Sequence, residues 1–376
     1  MKVNKNSFFL ILLFIAYFTG YTLLIPTYEN PDESRHLWKV FNVEKVFEIG
    51  GNGGLYYVFQ KGVSNIFGYK YKKSYDRKNV IKEANPDFSY FANEYRYKHK
   101  SISPRKDILT YRFANLIVLI PLFFWFLKEK KHRMLFTLSL CFPGFVWFLT
   151  SFNPDIFNIA FSVILFKYRD KSKWLILGLL ILAYLILDRS IILLILALLI
   201  YYTYQFIPKG KYLRLIFWLL FGTSLIVFHD FSKNIISYNY EYEPIKSIFT
   251  AIISFYGLLG NMSIKATFFE YFSIITLIFV LVLRIIFIKK DHPKKEKVKE
   301  FSTLILIYFI LWAYLLTLVP TLDQGRYFYP IIFYLMYLIK EVVLKKQVQT
   351  LTPLLLLGMT INGFMFVKLF YVYFTQ

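Results

Sequence analysis

The sequence predicts an all-α integral membrane protein, on three observations. Of its 376 residues 57% are hydrophobic, apolar runs of spanning length recur along the chain, and basic residues cluster in every second connection between those runs. A water-soluble fold needs polar cover for its surface, and a mean hydropathy of +0.48 with 21% aromatic residues leaves too little. Lipid is then the natural solvent. Cys141, the single cysteine, lies within an apolar run, can form no internal disulfide and carries no redox information.

The net charge of +22 would suggest nucleic acid in a soluble chain, but its distribution excludes that class of partner. Lys128, Lys130, Lys131 and Arg133 share one short connection; Lys167, Arg169, Lys171 and Lys173 share another. Lys209, Lys211 and Arg214 follow, then Lys289 to Lys299, then Lys340, Lys345 and Lys346. This alternation is the positive-inside pattern, so the charge reports topology.

Read in order, the first run is Ser7–Pro26, preceded by Lys2 and Lys5. It has spanning length and no small-x-small cleavage site ahead of Pro26, which predicts a retained anchor with a cytoplasmic N-terminus. Further runs follow at Ile108–Leu127, Met134–Thr150, Ile156–Phe166, Trp174–Leu187, Ile191–Phe206 and Leu215–Phe228. The last four are Thr267–Ile288, Phe301–Val319, Ile331–Val343 and Leu351–Tyr371. The sum is about eleven spans in one polytopic domain, residues 1–376, some short enough to be tilted or broken. Ile245–Gly260 is apolar enough to cross, but a crossing there would put the Lys289–Lys299 cluster outside; it is read as an interfacial or re-entrant helix.

Two long extracytoplasmic segments result, 27–106 and 229–266. The first is basic (Lys70, Lys72, Lys73, Arg77, Lys78, Lys82), which long loops tolerate on the outer side. Such a loop suits anionic headgroups or a polyanionic acceptor, and equally a solvated surface.

The polar motifs fall on that outer side. Asn30-Pro31-Asp32-Glu33-Ser34-Arg35-His36 directly follows the first span. Asn30 can cap a helix with Pro31 at its first position and Glu33 three residues after the cap, which gives both acids a structural account. Leu37, Val40, Phe41 and Phe47 give that helix an apolar side expected to lie along the membrane. Asn153-Pro154-Asp155 repeats the tripeptide at the outer end of the third span; Asn85-Pro86-Asp87, mid-loop, reads as a helix start. Asp32 and Asp155 at one water–lipid boundary could share a divalent cation, magnesium or manganese, or act on one substrate. Asp323-Gln324-Gly325-Arg326-Tyr327-Phe328-Tyr329-Pro330 precedes the tenth span. Its arginine suits a phosphate at headgroup depth, or serves as an interfacial anchor in an aromatic belt. Asp188-Arg189 is a local ion pair or a second phosphate contact.

Together these elements resemble a family of bacterial membrane proteins with the GT-C glycosyltransferase architecture. The resemblance rests on Pro-Asp-Glu-x-x-His at residues 31–36, on Gly54-Leu55-Tyr56-Tyr57, on Ser151-Phe152-Asn153-Pro154-Asp155 and on Gln324-Gly325-Arg326-Tyr327-Phe328-Tyr329-Pro330, in that order. Gly53 and Gly54 stand where the family tends to have prolines, which bears on the packing of the first outer loop. What the resemblance implies is a GT-C-like bundle whose long first outer loop contains interfacial helices. It implies a transferase of the cytoplasmic membrane that moves a sugar from a polyprenyl-phosphate-linked donor to an envelope glycan or lipid acceptor outside. Asp32 would be the base or hold a cation with Asp155, Glu33 and Asp155 would be supporting acids, and Arg326, with Arg189, would hold the donor phosphate. His36, one helical turn from Asp32, with Tyr56, Tyr57, Gln324 and Tyr327, would support the site. A polyprenyl-linked glycan polymerase or ligase, which would lean on outer-loop arginine and histidine, is the nearer alternative. A lipid or glycan transporter is the alternative of a different class, expected to show ionisable residues at mid-membrane or repeat symmetry.

Overall fold

The computed structural model describes residues 5–25, 33–48, 54–70, 106–169, 176, 178–179, 190–207, 211–233, 268–287, 294–318, 325–344 and 350–374. Every regular element among them is helical. In chain order they are α1 (Lys5–Leu24), α2 (Glu33–Phe41), α3 (Val43–Glu48), α4 (Gly54–Ile66), α5 (Lys106–Phe126), α6 (Lys130–Leu140) and α7 (Pro143–Leu149). Then come α8 (Asp155–Tyr168), α9 (Ser190–Phe206), α10 (Lys211–Lys233), α11 (Phe268–Ile286) and α12 (Lys295–Leu318). A 3-10 turn (Gly325–Ile331) leads into α13 (Ile332–Leu338) and a π turn (Ile339–Val343), and α14 (Leu351–Phe374) closes the order.

Four of the described helices are long and apolar enough to cross a membrane: Lys5–Leu24, Lys106–Phe126, Lys295–Leu316 and Leu351–Tyr371. At 20 to 22 residues they extend about 30 Å, the thickness of a bilayer's hydrocarbon core. The expected span Trp174–Leu187 lies almost wholly, and the expected interfacial or re-entrant helix Ile245–Gly260 wholly, outside the described residues.

The expected span Met134–Thr150 is broken. It is two helices, α6 and α7, bent by 95°. Phe142 is extended (φ −105°, ψ 96°) and Pro143 opens α7 at its first turn, because proline disfavours helical backbone in the residue before it and has no N–H to continue the ladder. The break frees carbonyls that the apolar interior cannot hydrate. Asn362 of α14 reaches one of them, Nδ2 to the Leu140 carbonyl at 2.8 Å, while its Oδ1 accepts from the Tyr21 hydroxyl of α1 at 2.8 Å. Cys141 Sγ lies 3.5 Å from the Leu354 carbonyl. Gly20 admits this close approach of α14, since a Cβ there would stand 2.8 Å from the Phe366 ring. The run expected at Ile331–Val343 is likewise not one α-helix but passes from 3-10 to α to π.

Two cores organise the chain. The larger runs through the bundle, with Phe14, Phe123, Phe136, Phe166, Trp312 and Phe333 among its buried members. The smaller lies under a cap formed by α2, α3 and α4. Here an expectation is corrected: the apolar side of α2 covers protein, with Leu37 and Val40 fully buried in one cluster with Tyr56, Tyr57, Ile108, Tyr111 and Phe152. Gly54 opens α4 and is buried, while Gly53 lies outside the described residues.

Basic connections gather at one end. Ser7 of α1 donates to the Leu127 carbonyl at 3.0 Å, and Lys167 Nζ donates to the Trp125 carbonyl at 2.6 Å and lies 3.7 Å from Glu129. The Arg169 guanidinium stands 4.1 Å over Phe166 and 5.4 Å over Phe301, which brings the start of α12 to the same end. Lys294 pairs with Glu341 at 2.9 Å.

Candidate functional site

The other end is built around an arginine the sequence reading passed over. Arg112, in the second turn of α5, is fully buried. A guanidinium out of water is tolerated when its donors are filled, and here its fork closes on Glu33, Nε to Oε1 at 2.7 Å and Nη2 to Oε2 at 2.8 Å. Its Nη1 donates to the carbonyls of Ile25 (2.6 Å) and Thr22 (3.2 Å) at the C-terminal end of α1, where helix carbonyls lack intrahelical partners and a cation is favoured. Glu33 opens α2, where a carboxylate is favoured. One side chain thus joins α1, α2 and α5. The signal was an arginine inside the apolar run Ile108–Leu127.

Beside it lies an amide network. Gln60 Nε2 reaches the Tyr56 hydroxyl (3.1 Å), the Asn115 Oδ1 (3.2 Å) and the Tyr111 carbonyl (3.2 Å). Tyr56 donates to Asn115 Oδ1 at 3.3 Å, and Asn115 Nδ2 donates to the Ser151 carbonyl at 2.9 Å. Burial pushes the Tyr56 hydroxyl well above its ordinary value; its hydrogen bonds with Gln60, Asn153 and Asn115 work against this, and the charge of Glu33 works with it. Tyr56 therefore stays protonated, a donor and not a base. His36 Nδ1 lies 2.7 Å from the Tyr57 hydroxyl, buried, with its ring stacked on Tyr57 and edge-on to Phe152.

Asn153-Pro154-Asp155 stands between this cap and the 3-10 turn. Asn153 Oδ1 accepts from the Asp155 N–H at 2.9 Å, an Asx turn that starts α8, and Asn158 Nδ2 holds Asp155 Oδ1 at 2.9 Å. On the cap side, Tyr56 meets the Asn153 backbone. On the other side, Asp155 is within electrostatic reach of Tyr308 of α12, whose hydroxyl donates to the Tyr327 carbonyl in the turn. Tyr329 of the same turn packs on Phe148 with ring centroids 5.1 Å apart.

Tyr308 lies 13 residues after Lys295 and 10 before Leu318, about 20 Å and about 15 Å along α12. Asp155 to Lys167 along α8 is about 18 Å, and Arg112 to Phe126 along α5 about 21 Å. The polar groups form a layer roughly 20 Å of helix from the lysine-rich end.

Of the residues expected at the site, Glu33, His36, Tyr56, Tyr57, Asp155 and Tyr327 belong to this layer. Arg326 is placed by its backbone in the 3-10 turn, next to Tyr327. Asp32, Arg189 and Gln324, with Asn30 and the Asn85 element, lie outside the described residues. Among the described residues no group of three or more His, Cys, Asp or Glu side chains converges to hold a metal. Gln60, Arg112, Asn115 and Tyr308 are site residues that the motifs did not reveal, since each sits in an apolar segment with no pattern around it.

Comparison of the chain with family models, with curated proteins and with solved structures finds no significant match.

Proposed function

We propose that the chain is a membrane glycosyltransferase of GT-C type, with about eleven spans, that transfers a sugar from a polyprenyl-phosphate-linked donor to an envelope glycan or lipid acceptor on the extracytoplasmic face. The observation that carries the reading is the seat of Asn153-Pro154-Asp155: it meets the cap through Tyr56 and lies within electrostatic reach of Tyr308, and α8 packs on the turn that bears Arg326. Motifs far apart in sequence thereby share one polar layer, opposite the lysine-rich end that the positive-inside rule assigns to the cytoplasm.

Transfer needs a base for the acceptor hydroxyl and positive charge on the leaving phosphate. In this reading Asp32 is the base, Asp155 assists or shares a divalent cation with it, and Arg326 with Arg189 receives the phosphate. Glu33 is engaged by Arg112, which favours an organising role for it over proton transfer. The protonated Tyr56 is suited to hold its neighbours in place.

The burial of Asp155 is the observation that favours a transporter, in which an acid within the bundle would meet a coupling ion. Reconstitution with a radiolabelled polyprenyl-phosphate sugar separates the two, because a transporter leaves the donor bond intact. The wild-type protein should release polyprenyl phosphate and label the acceptor. Asp32→Asn should abolish this while still inserting, and Arg326→Ala should raise the donor KM most. Loss of activity on EDTA, restored by magnesium or manganese, would assign the cation. Full transfer by Asp32→Asn would sink the base assignment.

A further inference from the structure

The ion pair between Arg112 and Glu33 is more specific than packing alone requires. An apolar pair of similar volume would seat a helical cap at least as well, because two buried charges lose their hydration. What the guanidinium adds is direction. Its planar fork takes both oxygens of one carboxylate while the remaining nitrogen takes two carbonyls of α1, and no sliding or rotated arrangement of α2 fills all four contacts. Lysine, a point charge, could not do the same.

The contacts also join three elements. Ile25 directly follows α1, Glu33 begins α2, and Arg112 of α5 bonds to both. From α2 the cap continues to α4, which packs on both α2 and α3, and α4 carries Tyr56, Tyr57 and Gln60 into the polar layer. Seating Glu33 therefore seats the groups that reach Asn115 and Asn153.

We propose that Arg112 is a positioning residue: through Glu33 it fixes the cap in the register on which the transfer step depends. The rate consequence rests on the glycosyltransferase reading; the seating does not. The experiment reads the two separately. Spin labels at Glu44→Cys on α3 and Ile117→Cys on α5, both exposed positions, report the cap-to-bundle distance, with the buried Cys141 left in place. The test variant is Arg112→Met with Glu33→Met, which removes both charges together and leaves no unpaired ion. Arg112→Lys, which keeps the charge and loses the fork, serves where the double variant does not insert.

The expected result is a narrow distance distribution in the wild type and a clearly broader one in either variant, with helical circular dichroism unchanged. Sugar transfer should fall roughly a hundredfold in kcat, as misplacement of a reacting group does. The donor KM should stay within about threefold of wild type, since donor-holding groups are untouched. An unchanged distance distribution overturns the seating, and a broadened one with wild-type kcat overturns its link to the reaction. A wild-type protein that transfers no sugar, yet shows the broadening on substitution, refutes the glycosyltransferase reading and leaves the seating standing.

Discussion

The two ends of the bundle hold charged pairs of the same chemistry in opposite physical settings. At the cap end Arg112 and Glu33 are fully buried, in a bidentate pair with Nε, Nη1 and Nη2 of the guanidinium each donating to protein oxygens. At the lysine-rich end Lys131 and Glu129 meet at 3.0 Å with side chains 57% and 39% exposed. Partial burial works to raise the Glu129 carboxyl, but the hydrogen bond from Lys131 and the charges of His132, Lys131 and Lys167 outweigh it and hold it below its ordinary value. Water screens the second pair and not the first. The lesson is that the lysine-rich end holds its charges in water, whereas the cap end holds its pair in one defined geometry.

That contrast can be broken or sharpened by substitution. The largest effect should come from Arg112→Met alone, which strands a buried carboxylate; a loss of about 3–5 kcal/mol is expected in reversible unfolding in detergent. A loss as small as that of a surface pair would put both ends in one class. Asn115→Leu should follow, at about 1–3 kcal/mol, because Gln60, Tyr56 and the Ser151 carbonyl lose a shared partner where water cannot replace it. Glu129→Gln should be the mildest, under about 1 kcal/mol and weaker still in high salt.

The mildest change also has a pH signature. A carboxyl held below its unfolded value contributes its stability above that value, and the contribution fades as pH falls through the lower folded value. Wild type and Glu129→Gln should therefore differ near neutral pH and converge in acid, which parallel melts would show. Divergence in acid would contradict the depressed carboxyl.

Much of the architecture was legible in the residues. Uniform apolar runs such as 5–24 and 351–371 read as helices because a backbone in lipid must satisfy its own hydrogen bonds, so length and composition suffice. The lysine clusters predicted which connections meet, and the contacts of Lys167, Arg169 and Lys294 gather those connections together. Asn153-Pro154-Asp155, expected at the end of the third span, follows α7 and opens α8. The cap helices were expected too, though not that α2 turns its apolar side inward, since amphipathicity gives a face and not the surface that covers it.

The sequence by itself determined the membrane class, the helical segments and the polar motifs, because hydropathy, charge and proline act locally along the chain. Pro143 marks the break locally, but tertiary structure alone decided that the Leu140 carbonyl freed at the 95° turn is met by Asn362, more than 200 residues away. It alone decided the approach of Asp155 to Tyr308 and the pairing of Arg112 with Glu33, residues 79 apart. The reason is common to all three: a buried polar group must find its partner across the bundle, and nothing in its own neighbourhood of sequence names which group that will be.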